Sequence, residues 1–295
     1  MPWHTTNDLD RFHARAGAFL RTRPAENTLL LTTLDNVRVR GGRSYGDEAP
    51  TYGWWELPDG TVGGAYLHTP PYPVLVSAVP DQAIASLVDI VAAMRTFNAE
   101  QRLAESVAAH WLRQPGAQVE PGRRLRLYRL EGLTPPDRAA PGRARPAEPS
   151  DRPLLIAWYE MFGAELGEPG HDVATVVDER IGYGGLVLWQ DGAATVSMAG
   201  RNRIQAGTVR IGPVFTPVEF RGRGYASAVT AEVSHRAQQL GAEVVLFTDP
   251  ANPTSNAIYQ RLGYRPIEDR AVLTLLTDAS IVDGPTEPET AHSEH

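Results

Sequence analysis

The feature that most constrains the fold of this 295-residue chain is a compact block at residues 209–264. The block begins with a strand-like apolar run and then turns through Gly222 and Gly224. A helical pattern follows at once, with one apolar face made by Ala226, Val229, Val233, Ala237 and Leu240. A strand, a glycine-containing turn and a helix together form an anion site. The first-turn N–H groups have no intrahelical partner, and the helix dipole adds partial positive charge.

The residues of this turn suit a phosphate group. Glycine at positions 222 and 224 lets a phosphate approach the backbone with no Cβ in the way. Arg221 and Arg223 can add charge-assisted contacts, although Arg221 could equally be a surface charge. A glycine turn alone is a weak signal, since helix–strand packing also explains it. The spacing matches neither the P-loop, which needs a following Gly-Lys-Ser/Thr, nor the dinucleotide fingerprint with its three glycines and later acid.

A second motif follows about 30 residues later and makes the pattern specific. Residues 243–247 read as a compact buried strand, and Asn252-Pro253 then opens a helix that carries Tyr259 and ends at Gly263-Tyr264. The combination of Arg221-x-x-Gly224-x-Ala226 with Asn252-x6-Tyr259-x3-Gly263-Tyr264 resembles the GNAT superfamily of N-acetyltransferases. The resemblance is closest to a two-part bacterial subgroup, and it is strong over residues 205–270, topological over 123–204 and weak over 1–120.

The resemblance implies an α+β fold with a mixed, mostly antiparallel sheet that is splayed between two parallel strands, residues 208–215 and 243–247. Pantetheine would lie in this opening and pair with the backbone of Val214, Phe215 and Thr216. The pyrophosphate would lie on the turn that follows, which comprises Arg221, Gly222, Arg223, Gly224, Tyr225, Ala226 and Ser227. Asn252 would bind the pantetheine arm, and Asn256 is a second candidate. Asn256 and Ser255 also stand where a helix N-cap is wanted.

The resemblance also implies direct attack of a neutral amine on the acetyl group of acetyl-CoA. A backbone N–H near Val214 or Phe215 would stabilise the developing oxyanion. Tyr259 would protonate the departing thiolate, even with an ordinary phenol pKa of about 10. The alternative interpretation of Tyr259 is a half-buried helix tyrosine that closes the core.

The general base is less constrained by the sequence. Asp249, just after the second strand, is the first candidate, and Glu160, Glu165 and His171 are alternatives. Each of these carboxylates is more often a solvated surface group. His235 falls within a long helix and is predicted to be on the surface. No His, Asp and Glu cluster has metal-ligand spacing, so no metal is expected.

The chain is long enough for two domains. We predict an N-terminal α+β domain at 1–120, an acetyltransferase domain at 123–277 and a disordered acidic tail at 278–295. Both halves share one order of elements: helices come first, then a three-strand meander, then a further helix. This shared order suggests either a degenerate duplicated copy or independent convergence. The N-terminal counterpart of the phosphate turn is Pro80-Asp81-Gln82, which has no glycine and is acidic, so this half should not bind a diphosphate.

The local patterns predict further elements within these domains. Helices are expected at 7–20 with an Asn7 cap, 26–34, 80–94, 99–112, 153–166 and 173–181. Strands are expected at 53–57, 62–68, 74–79, 124–130, 184–190 and 193–199. Residues 134–150 are rich in Pro, Arg and Ala and are predicted to be an exposed loop.

Composition narrows the function classes. The net charge of −7 and the lack of a basic run argue against nucleic-acid binding, and no apolar stretch is long enough for a membrane span. The chain has no cysteine, which excludes disulfides and thiol catalysis, and no signal-peptide pattern, so a cytoplasmic location is expected. From the resemblance we expect an acyltransferase that uses acetyl-CoA and a small-molecule amine, and a homodimer is one option. A protein N-acetyltransferase and a non-catalytic acyl-CoA sensor are the alternatives.

Overall fold

The computed structural model describes residues 3–136, 138–167 and 172–277. Within these ranges, twelve strands form one continuous sheet in the order β1-β2-β3-β4-β5-β12-β6-β11-β10-β9-β8-β7. The strands are β1 (Trp3–Thr6), β2 (Thr51–Glu56), β3 (Val62–His68), β4 (Val74–Val76), β5 (Thr96–Glu100), β6 (Ala117–Leu130), β7 (Arg143–Pro146), β8 (Leu186–Asp191), β9 (Ala194–Arg201), β10 (Thr208–Phe215), β11 (Glu243–Thr248) and β12 (Tyr264–Thr277).

Eight α-helices pack on the sheet in the described part of the chain. They are α1 (Leu9–Thr22), α2 (Thr28–Arg40), α3 (Asp81–Met94), α4 (Gln101–Trp111), α5 (Arg152–Leu166), α6 (Val173–Gly182), α7 (Tyr225–Gln239) and α8 (Pro253–Arg261). Among these helices, none combines the length and the hydrophobicity that crossing a bilayer requires. The mixed sheet with helices against it confirms the predicted fold class.

The two halves of the chain have the same order of elements. The series β1-α1-α2-β2-β3-β4-α3-β5-α4-β6 is matched by β7-α5-α6-β8-β9-β10-α7-β11-α8-β12. The last strand of each half pairs across: β6 pairs with β11, β12 pairs with β5, and β6 and β12 pair with each other. The predicted boundary at residues 120–123 falls inside β6. The division into domains and a duplication origin stay predictions, and the tail at 278–295 lies outside the described residues.

Helix α7 forms because its apolar residues recur every four positions and meet the sheet. Val229, Val233 and Ala237 are buried against Val209 and Ile211 of β10. Burying a valine side chain stabilises the fold by roughly 1.5–3 kcal/mol. The apolar face was predicted one residue too long at its C-terminal end, because Leu240 is the C-cap residue and is 55% exposed.

Several predicted element limits were wrong for identifiable reasons. Asp8, not Asn7, caps α1, since its Oδ1 accepts the N–H groups of Asp10 and Arg11 at 2.9 and 3.0 Å. The helix predicted at 99–112 begins at Gln101, because residues 96–100 pair with β12 as β5. The predicted loop at 134–150 contains β7, a four-residue edge strand whose polar sequence gave no apolar alternation. Strand β6 begins at Ala117 rather than at Arg124, and β1 was not predicted.

Candidate active site

The candidate active site begins where two parallel strands separate. β10 and β11 pair from Thr208↔Glu243 to Ile211↔Leu246, and both strands then continue without pairing to each other. The pairing of β10 with β9 also shifts register after Ile211, as a bulge. The backbone of β10 beyond Ile211 therefore has no strand partner on its β11 side. An extended ligand could bind at such an open edge as an added strand does.

The three residues predicted to pair with pantetheine lie on the part of β10 that pairs with β9 but not with β11, and just after it. Val214 packs toward α7 and α8, whereas Phe215 is buried on the opposite face beside Trp158. Thr216 Oγ1 lies 2.8 Å from Ser197 Oγ, which also donates to the carbonyl oxygen of Phe215 at 3.0 Å. The side chains are thus occupied by packing or hydrogen bonds, and the backbone groups on the β11 side are the part that remains available to a ligand.

The glycine turn opens to solvent at the N-terminus of α7. Gly224 is the N-cap residue in the left-handed conformation at φ +85°, and no side chain caps the helix. Gly222 is also at positive φ, +77°. A Cβ at Gly222 would meet nothing within 4 Å, and one at Gly224 would meet only Ala140 Cβ at 3.8 Å. The turn therefore offers uncapped first-turn N–H groups, with Ala226 and Ser227 in the same turn, and room in front of them.

The two arginines of the turn already have partners. Arg221 donates to the carbonyl oxygen of Thr216 at 2.8 Å and forms an ion pair with Glu165 at 2.5 Å. Arg223 donates to the Glu219 carbonyl oxygen at 3.3 Å. Both members of the Arg221–Glu165 pair are nearly half exposed, so the pair is weak and exchangeable. Glu165, an alternative general base, therefore lies beside the predicted diphosphate turn.

The side chain of Tyr225 is directed toward the β8–β9 hairpin. Its side chain is 2% exposed, and its hydroxyl donates to Asp191 Oδ2 at 2.5 Å at the end of β8. Only the backbone of Tyr225 can contribute to an anion site. The hydrogen bond joins the start of α7 to the β8–β9 hairpin and so holds the turn in place.

Tyr259 lies on α8 and is half-buried against the same core cluster as Val214. That cluster includes Ile211 and Leu246, the last paired residues of β10 and β11. The hydroxyl of Tyr259 makes no hydrogen bond to another residue in the described ranges, whereas its ring packs edge-on against Tyr264 at 6.0 Å. Burial raises the pKa of Tyr259 to about 12, above the ordinary value that we assumed from the sequence. The phenol is therefore fully protonated at neutral pH.

The turn between β11 and α8 uses the side chains of Asn252 and Asn256 in two ways. Asn252 Oδ1 accepts the N–H of Ser255 at 3.0 Å, so Asn252 is the N-cap of α8. The expectation of a cap at Ser255 or Asn256 was wrong, because Pro253 at the first helical position starts the helix earlier. Asn256 Nδ2 donates to the carbonyl oxygens of Asp249 and Asn252 at 2.9 and 2.7 Å.

Asn256 Oδ1 accepts the hydroxyl proton of the buried Tyr128 at 3.0 Å. Because its amide is occupied at both ends, Asn256 stabilises the turn and has little capacity left for a ligand.

The candidate bases differ in their surroundings. Asp249 is exposed at the carboxyl end of β11, and its Oδ1 accepts the N–H of Ala251 at 2.7 Å. Glu160 is exposed on α5. His171 lies outside the described residues. His235 is exposed on α7, as predicted, with Nε2 3.0 Å from the side-chain amide of Gln239. In the described ranges, no group of three or more His, Asp or Glu side chains is arranged to hold a metal ion.

The N-terminal half contains a corresponding pair of parallel strands, but their gap is filled. β4 and β5 pair at Val74↔Phe97 and Leu75↔Asn98. The guanidinium of Arg270, from β12, donates to the carbonyl oxygen of Val76 and to both side-chain and main-chain oxygens of Asn98, at 2.8–3.1 Å. Its Nη1 also contacts Glu268 at 2.8 Å, and Arg270 is 2% exposed.

Sequence reasoning missed two arginines near the strand separation. Arg180 of α6 donates to the Gly212 carbonyl oxygen at 2.5 Å, to Asn202 Oδ1 at 2.7 Å and to the Tyr159 hydroxyl at 2.9 Å. Arg210 lies within β10. The sequence feature that could have indicated Arg210 is its position as a charged residue between two apolar residues of a strand. A helical arginine such as Arg180 gave no signal.

Comparisons with known proteins agree with this geometry. Residues 189–273, from β8 into β12, match the family model described as FR47-like protein. An acetyltransferase from the GNAT family of Colwellia psychrerythraea is 11% identical, with 94% of this chain and 100% of that chain covered and a TM-score of 0.61. A GCN5-related N-acetyltransferase from Sphaerobacter thermophilus is 20% identical, with 93% and 95% covered and a TM-score of 0.61.

A third solved structure, a GCN5-related N-acetyltransferase from Kribbella flavida, is 16% identical, with 83% and 95% covered and a TM-score of 0.51. No curated protein sequence matches the chain. The fold is that of the GNAT acetyltransferases, and the resemblance expected from residues 205–270 is confirmed.

Proposed function

We propose that this protein transfers an acetyl group from acetyl-CoA to a primary amine of a small molecule. The observation that carries the proposal is the separation of β10 and β11 after Ile211 and Leu246, which leads directly into the open glycine turn of α7. The first feature offers an unpaired backbone edge, and the second offers an anion site. A donor with an extended amide-containing arm and a diphosphate needs both.

The donor would bind mainly to main-chain groups. The backbone of Val214, Phe215 and Thr216 would pair with the pantetheine amides, and the N–H groups of residues 222–227 would bind the diphosphate. Arg221 would exchange Glu165 for a phosphate oxygen, a change favoured because both partners of that pair are solvated. Arg223 would add a second charge-assisted contact. Asn252 would donate from its amide nitrogen while its Oδ1 caps α8, and Asn256 would hold the turn.

The side chains are assigned two proton transfers in a single acyl-transfer reaction. Acetyl-CoA supplies a thioester-activated acetyl group when it is bound. The amine nitrogen forms a bond to the carbonyl carbon as the carbon–sulfur bond breaks, and an N–H of Val214 or Phe215 holds the carbonyl oxygen. Tyr259 donates its proton to the sulfur. Asp249, through water, accepts the proton lost by the amine. Solvent then takes this proton from Asp249 and returns one to the Tyr259 phenolate, so the proton balance closes over one turnover.

A small acceptor is favoured over a protein because the N-terminal half covers the face of β10 that is opposite α7. Helix α2 approaches β10, and Arg40 of α2 forms two hydrogen bonds with Glu179 of α6, at 2.8 and 2.9 Å. A peptide chain needs an open groove, and an α2–α6 junction closes that side. Acetylation of peptide N-termini but not of small amines in the same assay would support the protein acceptor instead.

Calorimetric titration with acetyl-CoA tests the donor site. The comparison is wild type against Gly224→Asp, with Gly241→Asp as the matched control. Gly224 and Gly241 lie at opposite ends of α7, at φ +85° and +73°, and a Cβ at either position meets nothing closer than 3.8 Å. Both changes therefore carry the same backbone strain. Only the first places a carboxylate in the proposed diphosphate site.

The expected loss follows from the added charge. Two like charges about 6 Å apart repel by about 3 kcal/mol at an effective dielectric constant of about 20, which is roughly a 100-fold rise in Kd. Gly241→Asp should bind acetyl-CoA as wild type does. Absence of binding by wild type, or equal loss in both variants, would overturn the donor assignment. Binding without release of free thiol on any amine would indicate the acyl-CoA sensor.

A further inference from the structure

A cavity lies at the junction of the two halves, on the side of β10 away from α7. Its volume is about 180 Å³. Helix α2 and the loop after it line one side, and α6, residues 202–203 and β10 line the other. The cavity is thus built from residues far apart in the sequence.

The charged residues of the cavity are unbalanced. Four arginines and two acidic residues line it, namely Arg40, Arg180, Arg203, Arg210, Asp35 and Glu179. Glu179 is used by two of these arginines: Arg40 binds both of its oxygens, and Arg203 binds Oε2 at 3.3 Å. The three hydrogen bonds of Arg180 are described above. Among the described residues, neither Glu179 nor Asp35 forms an ion pair with Arg210.

Arg210 is the unusual member of this group. Its guanidinium forms no hydrogen bond or ion pair with any residue in the described ranges, and its Nη1 is buried. Burial, and then the nearby charge of Arg180, lowers the pKa of Arg210 to about 10, so it is still protonated at neutral pH. The hydroxyl of Ser44, which lines the same cavity, is also buried without a partner. Buried donors without acceptors are rare, because each costs free energy.

The position of Arg210 relates the cavity to the acyl-transfer site. Val209 and Ile211 pack against α7, so Arg210, between them on an alternating strand, projects from the opposite face. Gly212 follows two residues later, about 7 Å along the strand, where the pairing with β11 has ended. Arg180 contacts both regions, since it lines the cavity and donates to the Gly212 carbonyl oxygen. A small molecule could therefore reach from the cavity to the strand separation.

We propose that this cavity binds an anionic group, a carboxylate or a phosphate, of the amine that accepts the acetyl group. The guanidinium of Arg210 supplies the main contact, and the Ser44 hydroxyl supplies a second donor. This inference rests on the proposed acetyl transfer, and it narrows the acceptor class to amines that carry a negative charge. Planar guanidinium groups suit both anions, because they donate two parallel hydrogen bonds.

The test uses amines that differ only in the distal group. Three series of equal chain lengths are compared: ω-amino carboxylates, the corresponding primary amides, and ω-aminoalkyl phosphates. Thiol release from acetyl-CoA gives kcat and KM for each amine. Wild type should favour one anionic series over the amides by about 10- to 100-fold in kcat/KM, the range for hydrogen bonds to charged groups. The favoured series identifies carboxylate or phosphate as the recognised group.

The variants isolate Arg210. Arg210→Met should abolish the preference for anionic amines while leaving the KM for acetyl-CoA unchanged, and Arg210→Lys should retain part of it. Arg152→Met is the control, because Arg152 forms an exposed ion pair with Asp178 on the neighbouring helices α5 and α6. Arg210→Met should also raise the melting temperature of the free protein, since it removes an unpaired buried charge. If Arg210 only stabilised the fold, Arg210→Met would lower the melting temperature.

A binding assay separates this inference from the proposed function. The melting temperature of wild type should rise with the anionic amines or with inorganic phosphate but not with the amides, and Arg210→Met should lose the response. That result without turnover would refute acetyl transfer and support the anion site. Equal turnover of amides and anionic amines by wild type would keep the transferase and overturn the anion site. If Arg210→Met does not fold, Ser44→Ala must weaken the anionic preference, and an unchanged preference overturns the proposal.

Discussion

Replacing Tyr259 by phenylalanine should separate catalysis from stability. The hydroxyl of Tyr259 has no hydrogen-bond partner in the described part of the chain, while its ring packs against the core and against Tyr264. Phenylalanine keeps the ring contacts and loses no hydrogen bond, so the free energy of unfolding should change by less than about 0.5 kcal/mol. If Tyr259 is the general acid, kcat should fall about 10²- to 10⁴-fold. The Kd for acetyl-CoA should stay within a few-fold of the wild-type value.

Tyr264→Phe should lose stability and keep its activity, the opposite of Tyr259→Phe, and it serves as the control. The hydroxyl of Tyr264 lies 2.6 Å from the buried Ser234 hydroxyl, so its removal leaves a buried polar group short of a partner. This variant should lose about 1–2 kcal/mol of stability in urea denaturation and keep its kcat. Steady-state kinetics with a competent amine and urea titration measure both quantities for both variants. A Tyr259→Phe enzyme with kcat within three-fold of wild type would refute the acid role.

The surroundings of Tyr259, Arg270 and Asp249 lead to three further predictions. The raised pKa of Tyr259 means that this residue ionises first in the unfolded chain, so the stability of wild type relative to Tyr259→Phe should fall by up to about 2.7 kcal/mol between pH 10 and 12 in urea titration. The difference between the two proteins cancels the contribution of the other buried tyrosines, such as Tyr52. Arg270→Ala should destabilise the protein by about 3–5 kcal/mol in urea, since it leaves the carboxylate of Glu268 buried and unpaired, without weakening acetyl-CoA binding in calorimetry. Asp249→Asn should retain the hydrogen bond from Ala251, and hence the thermal melt, but lower kcat by about 10²-fold or more in steady-state assays if Asp249 is the base.

The parts of the fold that the sequence predicted are those with strong local signals. β10 was predicted with its observed limits, and α7, β11 and α8 were predicted in order, because a glycine turn and an Asn-Pro start punctuate them. β5 and β7 were missed, because a strand of four or five residues is stabilised by its neighbours and has little pattern of its own.

The sequence predicted the part of the candidate site that is formed by the backbone of the glycine turn, but not the contacts of its side chains. Gly222 and Gly224 are open as expected, since their role depends on local conformation. Side-chain roles depend on distant partners, which a single sequence does not reveal. The pairing of Arg221 with Glu165 and the use of the Asn256 amide within its own turn are contacts of this kind. The cationic cavity around Arg210 needs residues from both halves, so no local pattern could have indicated it.

The two halves show how one topology can give one open gap and one closed gap. In the part of the chain that the structure describes, each half has one parallel strand pair, β4–β5 or β10–β11, and a helix follows each of these strands. In the N-terminal half, Arg270 joins the separating strands by hydrogen bonds, and the helix begins after Pro80 without a glycine turn. Arg270 belongs to β12, the strand that begins at Tyr264, five residues after Tyr259. The strand that closes the N-terminal gap is therefore continuous with the end of the helix that carries the proposed acid. Through Arg270 and the pairing with β5, the N-terminal half thus holds β12, which continues directly from the end of α8.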